Sequence, residues 1–265
     1  MKKAVTALFT LLTLFSFTTV CLAQEPESET ITISGRVTDF DGHPVDGSAV
    51  LLLNSDFSPA YKTLSDADGY YRLENVRKGR YAAMAAMRLE EYPRENAVPE
   101  EDMRLEYWAW NVIADRDLEI NPRYHKLELY GLTVFEEYGG MPFMMVYFRP
   151  MSVTKYISYE KAMYLDKGKM EQAEADLTVP PEHLRIEVYA GDKELRVHSV
   201  HALLEDTANG YVPTSYLAWV KKPKIRPGTP YVVFRVVATN TEFDETGENA
   251  YFYEPKKYEK QQTEE

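Results

Sequence analysis

The chain has 265 residues, 45% of them hydrophobic, with 42 acidic against 30 basic side chains and a net charge of −12. That balance repels a phosphate backbone and excludes nucleic acid as a partner. A single cysteine, Cys21, provides no disulfide framework, so stability must come from packed cores large enough for two β domains.

Met1 to Ala23 has Lys2 and Lys3, an apolar stretch from Ala4 to Val20, and then Cys21-Leu22-Ala23 before Gln24. This is the layout of a secretory signal, with cleavage expected after Ala23 and export to the periplasm or the cell exterior. Lipidation of Cys21 is the alternative, although Thr18-Thr19-Val20 lacks the residues a lipobox sets before its cysteine. No later apolar run reaches the ~18 residues a membrane helix needs, so no span is expected beyond the signal. Residues 24–30, acidic and containing Pro26, read as a flexible leader.

From Ile33 the pattern becomes short strands punctuated by turns. Asp41-Gly42 lies between Val37 and the run Ala49 to Leu53, and Asp68-Gly69 between Tyr61 to Leu64 and Tyr70 to Leu73. Asp-Gly supplies the positive φ of a tight reversal between alternating apolar runs. Lys78-Gly79 opens a further strand, Tyr81 to Met87, followed by Arg88 to Met103, which reads as a long surface loop. Leu105 to Val112 and Asp117 to Ile120 supply the last strands before Asn121-Pro122 ends the unit.

The segments I-S-G-R-V-T-D-F-D-G-H-P-V-D-G-S-A-V and T-L-S-D-A-D-G-Y-Y-R-L-E-N-V-R-K-G-R-Y resemble the carboxypeptidase regulatory-like domain family, with Ser48 and Ser65 in place of its usual Ala and Thr. The resemblance implies a prealbumin-like β-sandwich, placed here at 31–122. It also implies work in holding and binding, since such modules accompany peptidases, transporters and surface proteins.

A second all-β unit is expected over 123–256. Strands are placed at Lys126 to Phe135, Pro142 to Phe148, Leu184 to Ala190, Glu194 to Leu203, Thr214 to Val220, Tyr231 to Ala238 and Ala250 to Tyr253. Gly139-Gly140, Gly191-Asp192, Asn209-Gly210, Pro227-Gly228 and Thr246-Gly247 fall between them as turns. Seven strands in about 130 residues suggest an immunoglobulin-like sandwich. A short helical insertion is expected near 159–176, and residues 257–265 form a charged tail. The fold class is therefore all-β, two tandem β-sandwiches.

Chemistry finds little support. His125 and Glu128 have the spacing of a carboxypeptidase zinc pair, but residues three apart on a strand face opposite ways, and the same holds for His198 and His201. Asp66-Ala-Asp68-Gly69 reads as a hairpin turn, since a calcium loop would place Leu64 and Asn75 at ligand positions. Asp244, Glu245 and Glu248 read as a second acidic turn. Asp206-Thr-Ala208 fits a short O-glycosylation pattern at chance level, and no metal, cofactor or catalytic residue is assigned.

The candidate ligand residues are Trp108 and Trp110, which with Val112 are expected on one strand face while Tyr107 and Ala109 occupy the other. As core residues they would seal the first sandwich; exposed, they would stack on sugar rings. Met141 to Met151, apolar on both faces, is expected to be buried. The chain thus reads as a non-enzymatic, secreted or envelope binding and scaffolding protein whose partner is an envelope protein or a glycan. The alternatives are a carbohydrate-binding accessory module and a hydrolase with its site at the seam between the sandwiches.

Overall fold

The computed structural model describes residues 29–95, 98–137, 141–166, 168–169, 175–205 and 214–255. The signal segment with Cys21, Gly139-Gly140, the segment Asp206 to Gly210 and the 257–265 tail lie outside the described residues. In the first half the strands are β1 (Thr30–Arg36), β2 (Ala49–Leu53), β3 (Pro59–Leu64), β4 (Tyr70–Arg77), β5 (Gly79–Met87), β6 (Tyr107–Ala114) and β7 (Leu118–Glu119). The second half holds β8 (Leu127–Phe135), β9 (Phe143–Ser152), β10 (Leu184–Ala190), β11 (Lys193–Leu195), β12 (Val197–Leu204), β13 (Thr214–Lys221), β14 (Val232–Asn240) and β15 (Glu245–Tyr253).

These strands form two sandwiches that share a sheet. One sheet has the order β4-β1-β7, another β12-β13-β9-β8, and between them runs an eight-stranded sheet β11-β10-β14-β15-β6-β5-β2-β3. The first sandwich closes β4-β1-β7 over β3-β2-β5-β6. The second closes β12-β13-β9-β8 over β11-β10-β14-β15. The join is a parallel pairing of β6 with β15, Ala109 opposite Ala250 and Trp110 opposite Tyr251. Two asparagines extend this short ladder. Asn249 Oδ1 accepts from the Trp108 backbone N–H at 2.8 Å, and Asn111 Nδ2 donates to the Phe252 carbonyl at 2.7 Å.

Alternation along β15 sends its two faces into different cores. Ala250 and Phe252 pack with Ile33, Leu52, Tyr107 and Val112, while Tyr253 packs with Leu127, Phe148, Tyr216 and Phe234. The small sheets therefore cover opposite faces of the shared sheet, near opposite ends. Tyr124, just past the predicted domain boundary, is fully buried in the first core and shares a 2.8 Å hydrogen bond with Ser48 Oγ.

Two backbone specials move residues off strict alternation. Asn111 has φ +54°, a left-handed conformation asparagine tolerates, and it rotates the strand so that Val112 joins Tyr107 and Ala109 in the first core. The expected grouping of Val112 with Trp108 and Trp110 is thereby corrected. Gly131, at φ +67°, forms a bulge in β8 between Tyr130 and Thr133. Leu127 and Leu129 before it and Leu132 and Val134 after it then all face the second core.

The Asp-Gly turns form as the sequence implies. Asp66 Oδ1 accepts from the N–H groups of Asp68 and Tyr70, and Gly69 sits at φ +82°. The loop 88–103 departs from a surface loop. Its Met103 is buried with Leu105 and Val153, against Tyr92 and Ile157, and the Glu91 carboxylate is held by Arg88 and Arg104. Helices α1 (Val153–Ile157) and α2 (Lys161–Tyr164) lie in the insertion, which begins directly after β9 where Ser152 Oγ caps the Lys155 N–H. Met144, Val146 and Phe148 of the apolar β9 run point into the second core, with Phe143 and Tyr147 half-buried outside.

Candidate functional site at the sandwich junction

Because the small sheets sit on opposite faces, each leaves a step where it stops and the shared sheet continues. At the first step a cleft of roughly 390 Å³ opens between the segment Leu118 to Asn121 and the exposed part of β14 and β15, with the Gly191-Asp192 turn at its far side. Its floor is apolar, from Val233, Ala250 and Phe252, and its polar centre is Glu248. Glu248 is only 3% exposed, yet its Oε2 accepts from Arg235 Nη1 at 3.0 Å and from Arg123 through Nη2 and Nε, the latter at 3.2 Å. The two arginine side chains keep 36% and 33% of their surface. Arg123 lies over Phe40 and Arg235 over Tyr189, so each cation is stacked on a ring. Tyr231 borders the cleft and donates to Asp115 Oδ1; burial, and then the Asp115 charge, raise its phenol above the ordinary range.

At the second step, on the opposite face, β6 presents Trp108 and Trp110 across from Ala85 and Ala83 of β5. Both alanines are fully buried and belong to neither core; their small side chains let the indoles lie close to the sheet. The indole rings stack on each other, centroids 4.9 Å apart and 12° from parallel, and Phe57 meets Trp110 edge-on at 6.3 Å. Each indole thus spends one face on its neighbour. Trp110 packs against the second core, and both tryptophans are half-buried.

Beneath this ladder lies an acidic pair. Trp108 Nε1 donates to Glu106 Oε1 at 2.9 Å, and Glu106 in turn hydrogen-bonds Glu128 of β8. Burial raises both carboxyls, Glu128 far above the ordinary range, and the Glu106 charge raises Glu128 further while Arg149 and Arg94 oppose it. Glu128 is the more deeply buried of the two and Glu106 already accepts from the indole, an arrangement that favours the proton on Glu128 and the charge on Glu106. Glu128 is 2% exposed and its Oε1 has no hydrogen-bond partner among the described residues.

The remaining sequence candidates do not gather here. His125 precedes β8, and burial followed by the Arg104 and Lys126 charges lowers its imidazole. His198 stacks on Phe143, and His201 lies beside Trp219 and bonds Ser199 Oγ. Glu245 and Glu248 are buried strand residues of β15 and not part of an acidic turn, which corrects that reading. Glu245 accepts from the Thr154 N–H and from Asn240 Nδ2, tying the β14–β15 hairpin to α1. Among the described residues one acid-imidazole group has metal-compatible spacing, Asp39, Asp41 and His43. Burial acts to raise Asp39, but hydrogen bonds from His43 and Asp41 outweigh it and hold the carboxyl low. Those bonds close the Asp41-Gly42 turn. Arg123, Arg235 and Glu106 were not singled out from the sequence, and Glu128 was weighed only with His125, in a zinc-pair spacing discounted because the two face opposite ways on a strand. The available signal was alternation: Glu248 shares a face with Ala250 and Phe252, an acid in an apolar row.

Comparison with known proteins agrees with the first sandwich. Residues 32–92 match the carboxypeptidase regulatory-like domain family, and β6 and β7, which complete the sandwich, lie beyond the match. No curated protein matches the chain. Similar solved structures include the major pilin subunit BcpA of Bacillus cereus in its D312A form, 9% identical over 86% of this chain and 70% of that one, TM-score 0.28. A Bacteroides uniformis protein for which carbohydrate binding is suggested is 10% identical over 85% and 99%, TM-score 0.28. The mouse nectin-like molecule 4 ectodomain is 12% identical over 86% and 64%, TM-score 0.26. At those scores the three carry no argument about function.

Proposed function

We propose that this protein is an exported, non-enzymatic binding protein of the cell envelope, in which two sandwiches act as one rigid scaffold and a partner engages the junction. The observation that carries this reading is the continuous eight-stranded sheet. By pairing β6 with β15 it fixes the regulatory-like domain against its neighbour and builds the arginine-lined cleft from both. Binding rather than turnover fits the state of the buried acids. Glu248 is engaged by two arginines, and Glu128 holds its proton toward Glu106 away from solvent, so neither is placed to act on a substrate from solution. The stacked Trp108–Trp110 pair counts against an open sugar platform, because the ring faces a pyranose would use lie partly against each other.

A pull-down from envelope extract with the purified protein, run beside the Arg123→Ala and Arg235→Ala variants, tests the reading, with mass determination of the native N-terminus. The expected result is an N-terminus at Gln24 and a retained envelope protein or glycan that both variants release. Retention unchanged in both variants moves the partner away from the cleft. A diacylated Cys21 replaces the soluble exported form with an anchored one, and turnover of any substrate overturns the non-enzymatic reading.

A further inference from the structure

An unpaired strand edge offers a row of N–H and C=O groups to any passing strand, and folded proteins blunt such edges with charges, prolines, bulges or brevity. Among the described residues the three sheets have six edges, and five are blunted in these ways. β3 begins at Pro59 and carries Lys62; β4 carries Arg72, Glu74 and Arg77; β7 has two residues. β11 has three residues, Lys193 and Glu194 among them, and β8 carries Glu128 and is broken by its bulge at Gly131.

β12 is the exception. Its eight residues, V-H-S-V-H-A-L-L, include no Lys, Arg, Asp, Glu or Pro. Its one irregularity lies between Val197 and Ser199; from Ser199 to Leu204 it pairs residue for residue with β13, and among the described residues no strand pairs with its other side. Val200, Leu203 and Leu204 are 40%, 37% and 76% exposed. Under the core side of this edge a largely apolar groove of roughly 260 Å³ separates β12 from β10, lined by Leu184, Ile186, Val197, Val200 and Ala202, with Arg185 as its one charged side chain. β11 pairs only with Val188 to Ala190, so the groove's far wall is the half of β10 that no strand covers.

We propose that β12 is a self-association edge, on which β12 of a second copy pairs antiparallel and joins two four-stranded sheets into one of eight strands. Charge selects the occupant. Every other free edge except β8 carries a charge that pairing with β12 would set against an apolar side chain, and β8 is interrupted by its bulge at Gly131; a second β12 is uncharged and unbroken from Ser199 to Leu204. Symmetry agrees. A two-fold axis normal to the sheet keeps each residue on its own face, so Val200, Ala202 and Leu204 of both copies meet over the two grooves, while His201 and Leu203 meet on the outer face. This inference goes beyond the proposed function and does not rest on it.

Sedimentation velocity over a concentration series, on the full protein and on Val200→Lys and Leu203→Lys, tests it. Each substitution puts a charge on one face of the edge, and each is expected to raise the dimer dissociation constant by at least about tenfold, the equivalent of ~1.4 kcal/mol. Lys62→Ser on the β3 edge should leave it unchanged. Circular dichroism melts report folding; if Val200→Lys fails to fold, Leu203→Lys, on the outer face, decides. A protein that stays monomeric throughout the series, or a folded Leu203→Lys dimer as tight as the parent, overturns the proposal. So does a monomer that binds a neutral extended peptide along β12, which would assign the edge to a different partner.

Discussion

Glu248 and Glu128 lie at the two steps of the same junction, 3% and 2% exposed, and their surroundings are opposite. Glu248 faces two arginines, each stacked on a ring that fixes it. Glu128 faces another glutamate and keeps its charge off by holding a proton. Burying a carboxyl costs several kcal/mol unless it is paired or neutral, and the molecule uses one remedy on each side of the shared sheet. An acid at this seam is therefore not by itself a reactive centre. One step presents partly exposed arginines, which a partner can use; the other is a closed, proton-sharing contact that joins β6 to β8.

The comparison breaks most severely if the strands at the seam are pushed apart. A Cβ on Gly247 would lie 1.9 Å from the Leu127 carbonyl oxygen, and one on Gly35 would lie 1.8 Å from that of Ile120. Both obstacles are backbone, which no rotamer change relieves. Gly247→Ala should cost ~3 kcal/mol or more, with Gly35→Ala similar, because overpacking without escape exceeds the usual range. Urea denaturation reads the loss. A variant within ~1 kcal/mol of the parent would mean that β15 and β8 can separate without consequence.

Next in size is the paired side. Glu248→Gln leaves Arg123 and Arg235 facing each other over an amide, and removing one partner of a buried ion pair costs ~3–5 kcal/mol. Both arginines are about a third exposed and can turn toward water, so the lower end, about 3 kcal/mol, is expected from the same urea midpoints.

The unpaired side should respond with the opposite sign. Unfolded, both carboxyls titrate near pH ~4.3; folded, Glu106 and Glu128 titrate higher, so across that window the folded state binds more protons than the unfolded state. The stability is fully present below the window and is lost as pH rises through the folded values. Glu128→Gln keeps a donor toward Glu106 and has no proton to lose. It should gain about 1–2 kcal/mol at pH 8, change little near pH 4, and flatten the pH profile between. A loss at pH 8 would show that the ionised pair is tolerated and the proton-sharing description is wrong.

Much of the fold was legible in the sequence, and the seam was not. Turn chemistry and alternation place β2 and β10 at Ala49–Leu53 and Leu184–Ala190, with the same bounds as observed, because each run is short, apolar and closed by a turn. Alternation reports which face a residue takes and is silent on which strand pairs with which. The β6–β15 contact joins Asn111 to Phe252 across 141 positions, and Arg123 reaches Glu248 across 125. Parity also fails where one residue turns left-handed, as at Asn111, which is why Val112 was assigned to the wrong face. Glu106 and Glu128 look like ordinary solvated acids along the chain. Their burial comes from strands and a loop brought over them, and no neighbour in sequence announces it. Trp108 and Trp110 were found by their aromatic bulk, which reveals a contact surface but not that the rings face each other.

The smallest effect sharpens the comparison most finely. The Trp108 indole donates to Glu106, and that bond favours the ionised Glu106 beside the protonated Glu128. Trp108→Phe keeps a ring to stack on Trp110 and removes only the donor. A single hydrogen bond to a charged group contributes ~1–3 kcal/mol, reduced here because Glu128 still donates to the same carboxyl, so the stability change should stay below about 1 kcal/mol. The titration is the sensitive readout. Without the indole donor Glu106 should titrate still higher, with the shift visible in side-chain carboxyl carbon NMR, whereas the Phe57→Ala variant, which removes only an edge-on ring contact, leaves it in place. If Trp108→Phe leaves the Glu106 titration where it was, the indole is packing and nothing more, and the proton on Glu128 is held by burial and by its neighbouring carboxylate alone.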